Sequence, residues 1–169
     1  MIVYISGGVR SGKSKFAQQM ALRLSESPVY VATAKIWDKD FEQRIKLHQQ
    51  DRGPEWTNFE TTSELYKLPI DGRVVVIDCV TLWLTNFFTE NNSDISTCLD
   101  AFKNEIDELN ELKATLIIIS NEIGMGLHAE SSVGRKFADL QGLANQYVAS
   151  KAKEAIFMVS GLPLYLKTA

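Results

Sequence analysis

A chain of 169 residues, 45% hydrophobic and 23% charged, suits one soluble domain with a sizeable core and leaves little room for a second. A net charge of −3 leaves no electrostatic footprint for nucleic acid, no apolar run approaches the roughly 20 residues of a membrane span, and two cysteines without CxxC or Cys/His spacing give neither a disulfide framework nor a zinc site. Small molecules are the expected partners. A cytoplasmic location is expected, since the six mostly apolar N-terminal residues run straight into Gly7-Gly8 and are too short for a signal-peptide core.

In chain order, Met1–Ser6 reads as a parallel strand buried on both faces. It is followed by Gly7-Gly8-Val9-Arg10-Ser11-Gly12-Lys13-Ser14, which satisfies G-x-x-x-x-G-K-[ST]. Lys15–Leu24 follows as a helix with Phe16, Met20 and Leu24 on its inner face, and Val29–Thr33 as a second apolar strand. The spacing predicts a helix over Asp38–Arg52, stopped by Gly53-Pro54, with Phe41, Ile45 and His48 on one face. Trp56–Glu60 is a short extended segment and Thr62–Leu68 a helical turn. Arg73–Asp78 is a buried strand closed by an acid, Thr81–Phe88 a helical segment, and Ile95–Leu112 an amphipathic helix with several acids on its outer, solvated face. Thr115–Ser120 is another apolar strand, followed by the loop Asn121–Gly126; Gly134–Lys151 is a helix with Phe137, Leu140, Ala144 and Tyr147/Val148 inward; Ala155–Ser160 is the last strand.

Strands alternating with helices imply a single α/β domain over residues 1–169, a P-loop NTPase (RecA-like) fold whose mostly parallel sheet is flanked by helices. Sites in such sheets lie at the carboxyl ends of the strands, which collects Gly7–Ser14, Ala32–Lys35, Asp78–Thr81, Asn121–Gly126 and Ser160–Pro163 on one edge.

The chemistry starts from the loop. Glycines let the chain curl until successive N–H groups face phosphate oxygens, and the following helix adds its positive end. Lys13 would reach the β/γ-phosphates, and Ser14 with Asp78 would hold Mg²⁺, because a triphosphate needs a divalent cation bridging its oxygens. An acid closing an apolar strand is also a common cap or loop residue, so Asp78 is the weaker member. His48 is read two ways. A lone histidine on an apolar helix face is usually structural, but Arg44 and Arg52 one turn away on either side would keep the ring neutral and clamp phosphates, leaving an imidazole able to attack phosphorus. His128 is placed on an exposed loop without a role. Asn121-Glu122 with Gly124 and Gly126 is either a simple turn or a lid and substrate contact. Trp37, Trp56 and Trp83 read as core or interface aromatics. No guanine-reading N-K-x-D motif occurs, so base identity does not follow from local physics.

Together, the loop Gly7–Ser14, Tyr30-Val31-Ala32-Thr33-Ala34, Arg44-Ile45-x-x-His48-x-x-x-Arg52 with Trp56, Asn121-Glu122-Ile123-Gly124-Met125-Gly126, Arg135, Phe137, Asp139, Gly142, Asn145-Gln146 and Val159-Ser160-Gly161 resemble one family over nearly the whole chain. That family is the bifunctional adenosylcobinamide kinase/adenosylcobinamide-phosphate guanylyltransferases of cobalamin synthesis. The resemblance implies a homo-oligomer, a trimer, acting on a corrinoid: ATP or GTP phosphorylates adenosylcobinamide, then GTP guanylylates the product through His48. It also implies nucleotide contacts at Gly7, Gly8, Val9, Arg10, Ser11, Gly12, Lys13 and Ser14, at Ala32, Thr33 and Ala34, at Gln49, Gln50, Asp51 and Arg52, and at Glu60 and Asp78. Relatives often carry Glu at the Asp78 position, and His128-Ala129 and Ala138 also depart from the family pattern. Two other readings stay open: a small-molecule kinase in which His48 is structural, and a nucleotide-dependent switch or assembly protein.

Overall fold

The computed structural model describes residues 1–34 and 52–168. Most of the helix expected over Asp38–Arg52, with His48, Gln49, Gln50 and Asp51, lies outside the described residues, as does Trp37.

The strands are β1 (Ile2–Gly7), β2 (Val29–Ala32), β3 (Thr57–Glu60), β4 (Val74–Asp78), β5 (Thr115–Ile119), β6 (Glu154–Val159) and β7 (Leu162–Lys167). They form one sheet in the order β3-β2-β4-β5-β1-β6-β7. Every pairing is parallel except that of β6 with β7. All six residues of β1 are buried, as a strand covered on both faces must be.

Alternation along the strands sorts side chains between two cores. On one face Ile2, Tyr4, Val31, Ile77 and Ile118 pack with α2 (Val80–Glu90), α3 (Ile95–Glu111) and α4 (Ser132–Lys151), around an edge-to-face pair of Trp83 and Phe102 at 5.0 Å. On the other face Val3, Ile5, Val76, Ile117 and Ile119 pack under α1 (Lys13–Leu24). Asp94 caps α3 by accepting from the Thr97 N–H, and Ser131 caps α4 by accepting from the Gly134 N–H.

Several expectations need correction. The residues of α1 that sink against the sheet are Ala17 and Ala21, with Lys13 buried over the phosphate loop; Phe16 and Met20 pack only partly, and Leu24 is exposed. Alanines let the helix approach the strands closely, and the larger side chains splay to its flanks. The helix starts at Lys13, two residues earlier than the periodicity suggested, because its first turn belongs to the phosphate loop. Not every acid of α3 faces solvent: Glu105 is buried, and its two carboxylate oxygens accept the Glu64 and Leu65 N–H groups at 2.7 and 3.2 Å. Those bonds fasten a 3₁₀ turn, Leu65–Lys67, to α3. Finally, residues 162–167 are a seventh strand. Ser160 and Gly161, both at positive φ, turn the chain back so that Leu162–Lys167 runs antiparallel along β6 with all six residues exposed.

Candidate active site

Gly7 ends β1 opposite Met158 of β6, and a Cβ there would lie 2.5 Å from the Met158 carbonyl and 2.8 Å from Ser11 Oγ. Only glycine lets the chain leave the strand at that point. Gly12, at φ 96, precedes α1 in a left-handed conformation and supplies no side-chain cap, so the first N–H groups of the helix are left uncapped beside the loop. Val9 and Arg10 form the exposed tip of the loop. Lys13 folds back over it, its buried ammonium donating to the Gly8 carbonyl at 2.6 Å, with Ser11 Oγ at 3.5 Å. Burial pulls its pKa down, against the opposing influence of Cys79 and Asp78.

Asp78 sits at the carboxyl end of β4, in register with Ala32 of β2 and Ile119 of β5. Ser14 Oγ donates to its Oδ2 at 2.9 Å, and the Tyr30 hydroxyl donates to the same oxygen at 2.7 Å. Burial, with the Asp78 charge beside it, pushes the Tyr30 phenol well above its ordinary pKa, so the hydroxyl keeps its proton. Thr33 ties the next strand end to the same place: its N–H donates to the Asp78 carbonyl at 3.1 Å. Its hydroxyl donates to the Cys79 carbonyl at 2.8 Å and accepts the Cys79 N–H at 2.9 Å. Asn86 of α2 donates to the Thr33 carbonyl at 2.9 Å. Burial and the Asp78 charge push the Cys79 thiol up to about 12, which leaves it protonated and unsuited to nucleophilic chemistry.

The segments after β5 and β6 close in from the other side. The Glu122 N–H donates to the Gly7 carbonyl at 3.0 Å, and the Gly161 N–H donates to the Ser11 carbonyl at 3.0 Å. Asn121 is fixed by its side-chain amide on Thr81 Oγ1 at 3.0 Å and by Asn145, which donates to the Asn121 carbonyl at 3.2 Å. Beyond Glu122 the loop presents Met125 and Leu127 to solvent. The ends of β1, β2, β4, β5 and β6 thus meet at one edge of the sheet, as the topology rule requires.

A sequence model of one family, cobinamide kinase / cobinamide phosphate guanyltransferase, matches residues 3–166, from β1 into β7. The chain belongs to that family. Relatives include the bifunctional adenosylcobalamin biosynthesis protein CobP of Pseudomonas aeruginosa, 34% identical over 96% of this chain and 95% of that protein. The CobU protein of the same description from Escherichia coli is 32% identical over 99% of this chain and all of its own length, 100%. Among solved structures, the flagellar accessory protein FlaH from Methanocaldococcus jannaschii is similar at 14% identity and a TM-score of 0.46, covering 99% of this chain and 78% of that one.

In this cobinamide kinase/guanyltransferase the expected nucleotide residues Gly7, Gly8, Ser11, Gly12, Lys13, Ser14, Ala32, Thr33 and Asp78 lie on the one edge, with Ala34 directly after Thr33. Glu60 ends β3 opposite Ala32, one strand further out. Arg52 reaches the site through Tyr30: its guanidinium carbon lies 3.7 Å above the ring, while its Nε donates to Asn58 Oδ1 at 2.8 Å. Trp56 is buried edge-on to the same ring at 6.0 Å, and His128 is exposed. Sequence reasoning missed the roles of Tyr30 and Asn86. A usable signal existed, since a phenol or an amide inside an apolar run must find a hydrogen-bond partner once buried. Among the described residues no three His, Cys, Asp or Glu side chains gather into a cation cage. A serine and one carboxylate instead suit a hard cation that takes its remaining oxygens from water and substrate phosphates.

Proposed function

We propose that this protein phosphorylates the aminopropanol hydroxyl of adenosylcobinamide from ATP or GTP, then transfers GMP from GTP through His48 to the new phosphate, giving adenosylcobinamide-GDP and pyrophosphate. The observation that carries the reading is the assembled nucleotide edge, in which Ser14 Oγ stands 2.9 Å from Asp78 beside the buried Lys13. It stands in a chain whose family model spans residues 3–166.

Ser14 and Asp78 fit Mg²⁺, which would neutralise phosphate charge when bound. Ser14 spends its single proton on Asp78, so its lone pairs are free for a cation. Lys13 exchanges the Gly8 carbonyl for phosphate oxygens, and the uncapped N–H groups of α1 hold the same charge. In the second activity the His48 imidazole attacks the α-phosphorus of GTP; a P–N bond forms, the bond to the β-bridging oxygen breaks, and pyrophosphate leaves. A phosphate oxygen of the corrinoid then displaces histidine. Gln49, Gln50, Asp51, Arg52 and Glu60 supply further nucleotide contacts.

Nucleic acid has no role in this reading, which places the enzyme in the cytoplasm; among the described residues no helix is long and apolar enough to cross a membrane. The subunits associate as a homo-oligomer, a trimer by the family resemblance. Supporting this is β7, an outer strand with Leu162, Leu164, Tyr165 and Leu166 exposed beside unpaired backbone.

The test is incubation with Mg²⁺ and GTP labelled at the α-phosphate, followed by denaturation. Acid-labile, alkali-stable label in the parent and none in His48→Ala is the expected result. A folded, nucleotide-binding parent that takes up no label overturns the covalent route and leaves the kinase alone.

A further inference from the structure

Asp78 receives both of its described side-chain hydrogen bonds on one oxygen, Oδ2, from Ser14 at 2.9 Å and Tyr30 at 2.7 Å. The two donors differ in how they are held. Ser14 is the second residue of α1, at the mouth of the phosphate loop, where an arriving nucleotide displaces its surroundings. Tyr30 lies inside β2, paired with Val76 two residues before Asp78 on the adjacent strand. Its ring is 4% exposed and is gripped on its edge by Trp56 at 6.0 Å and on its face by the Arg52 guanidinium at 3.7 Å. Strand pairing and packing therefore set where the phenol oxygen stands, whatever the loop does.

We propose that Tyr30 is the positioning residue of the cation carboxylate: its hydroxyl pins Oδ2 of Asp78 and so fixes the orientation of the carboxylate that, with Ser14, would hold a cation. The proposal rests on the reading of Ser14 and Asp78 as the cation's holders. With only Ser14 as a partner, the carboxylate rotates about its own side-chain bonds whenever the loop moves, and each binding event must order it again. With Tyr30 the orientation is present beforehand, the general benefit of a rigid supporting shell around a metal ligand. A purely structural account gives Tyr30 the same bond for another reason, namely that a buried phenol needs an acceptor. The two accounts differ in what the bond affects: cation affinity in the first, folding stability alone in the second.

Tyr30→Phe separates them, because it deletes the hydroxyl and keeps the ring against Trp56 and Arg52. The readout is Mn²⁺ binding followed by electron paramagnetic resonance in the presence of a non-hydrolysable GTP analogue, with analogue affinity measured separately in EDTA. Loss of a hydrogen bond to a charged group weakens Mn²⁺ binding roughly tenfold or more, while analogue affinity in EDTA stays within about twofold of the parent. Unchanged Mn²⁺ affinity in a folded Tyr30→Phe protein, with Asp78→Asn clearly weakened, overturns the positioning role and leaves the cation site standing. Equal Mn²⁺ affinity in the parent and Asp78→Asn overturns the cation reading itself, and the proposal with it.

Discussion

Gly7 and Gly8 are neighbours of the same type in one motif, yet replacing Gly7 with alanine is expected to destabilise the fold while replacing Gly8 is expected to leave it almost unchanged. At Gly7, φ is 153° and the new Cβ would stand 2.5 Å from the Met158 carbonyl and 2.8 Å from Ser11 Oγ. The first obstacle is β6 backbone, paired in register with Gly7, so it cannot swing aside as a side chain would. Backbone conformations that only glycine adopts readily cost about 1–3 kcal/mol, and forcing a strand apart adds about 1–2 kcal/mol. The sum, about 3 kcal/mol, lowers the melting temperature by about 9 °C for a chain of this length. The loop moves as well, since the Gly7 carbonyl also receives the Glu122 N–H. A Cβ on Gly8 meets nothing within 4 Å, so Gly8→Ala changes stability by less than about 0.5 kcal/mol. Thermal unfolding by circular dichroism and titration with a fluorescent GTP analogue test both. A Gly7→Ala protein that melts within about 2 °C of the parent and binds nucleotide normally refutes the reasoning, as does a Gly8→Ala protein equally destabilised.

Glu105→Ala leaves the Glu64 and Leu65 N–H groups without their acceptor and costs about 2 kcal/mol, read as a drop of about 6 °C in melting temperature. Burial raises the Glu105 pKa above 4.5 in the folded state, the two N–H bonds only partly opposing it. The unfolded chain therefore ionises first, and the stability Glu105 contributes below pH 4.5 is lost as pH rises through the folded pKa. The melting-temperature gap between the parent and Glu105→Gln accordingly shrinks from about pH 4 to pH 7; a gap that widens shows the sign to be wrong. Leu164→Glu places a charge on an exposed position of β7, costing the subunit fold less than about 0.5 kcal/mol while breaking the proposed homo-oligomer into monomers, read by light scattering against the parent. A mass unchanged by the substitution puts the interface elsewhere.

Much of the fold was legible because its signals are local. Apolar runs of four to six residues, a glycine-rich loop and the 3.6-residue period of α3 and α4 each depend on a short window, and they placed β1, β2, β4, β5 and β6 within a residue or two. The strand Leu162–Lys167 was not legible: Pro163, which has no N–H to donate, reads as a strand breaker, and only pairing along β6 makes the segment a strand. The inner face of α1 was misread for a related reason. Hydrophobic size predicts which residues prefer burial, but how close the helix comes to the sheet decides that Ala17 and Ala21 are buried and Leu24 is not.

The same division runs through the site. The spacing of Gly7, Gly12, Lys13 and Ser14 determined a phosphate loop by itself, because one continuous turn must present its N–H groups and its lysine together. Which acid completes it is a long-range matter. Asp78 stands 64 positions from Ser14 and 48 from Tyr30 in the chain, and only the parallel alignment of β4 with β2, together with the seat of α1 on the sheet, brings the three oxygens within hydrogen-bonding distance. Sequence periodicity reports how a segment faces its core. Which segments face one another is set by strand order, and that belongs to the tertiary structure alone.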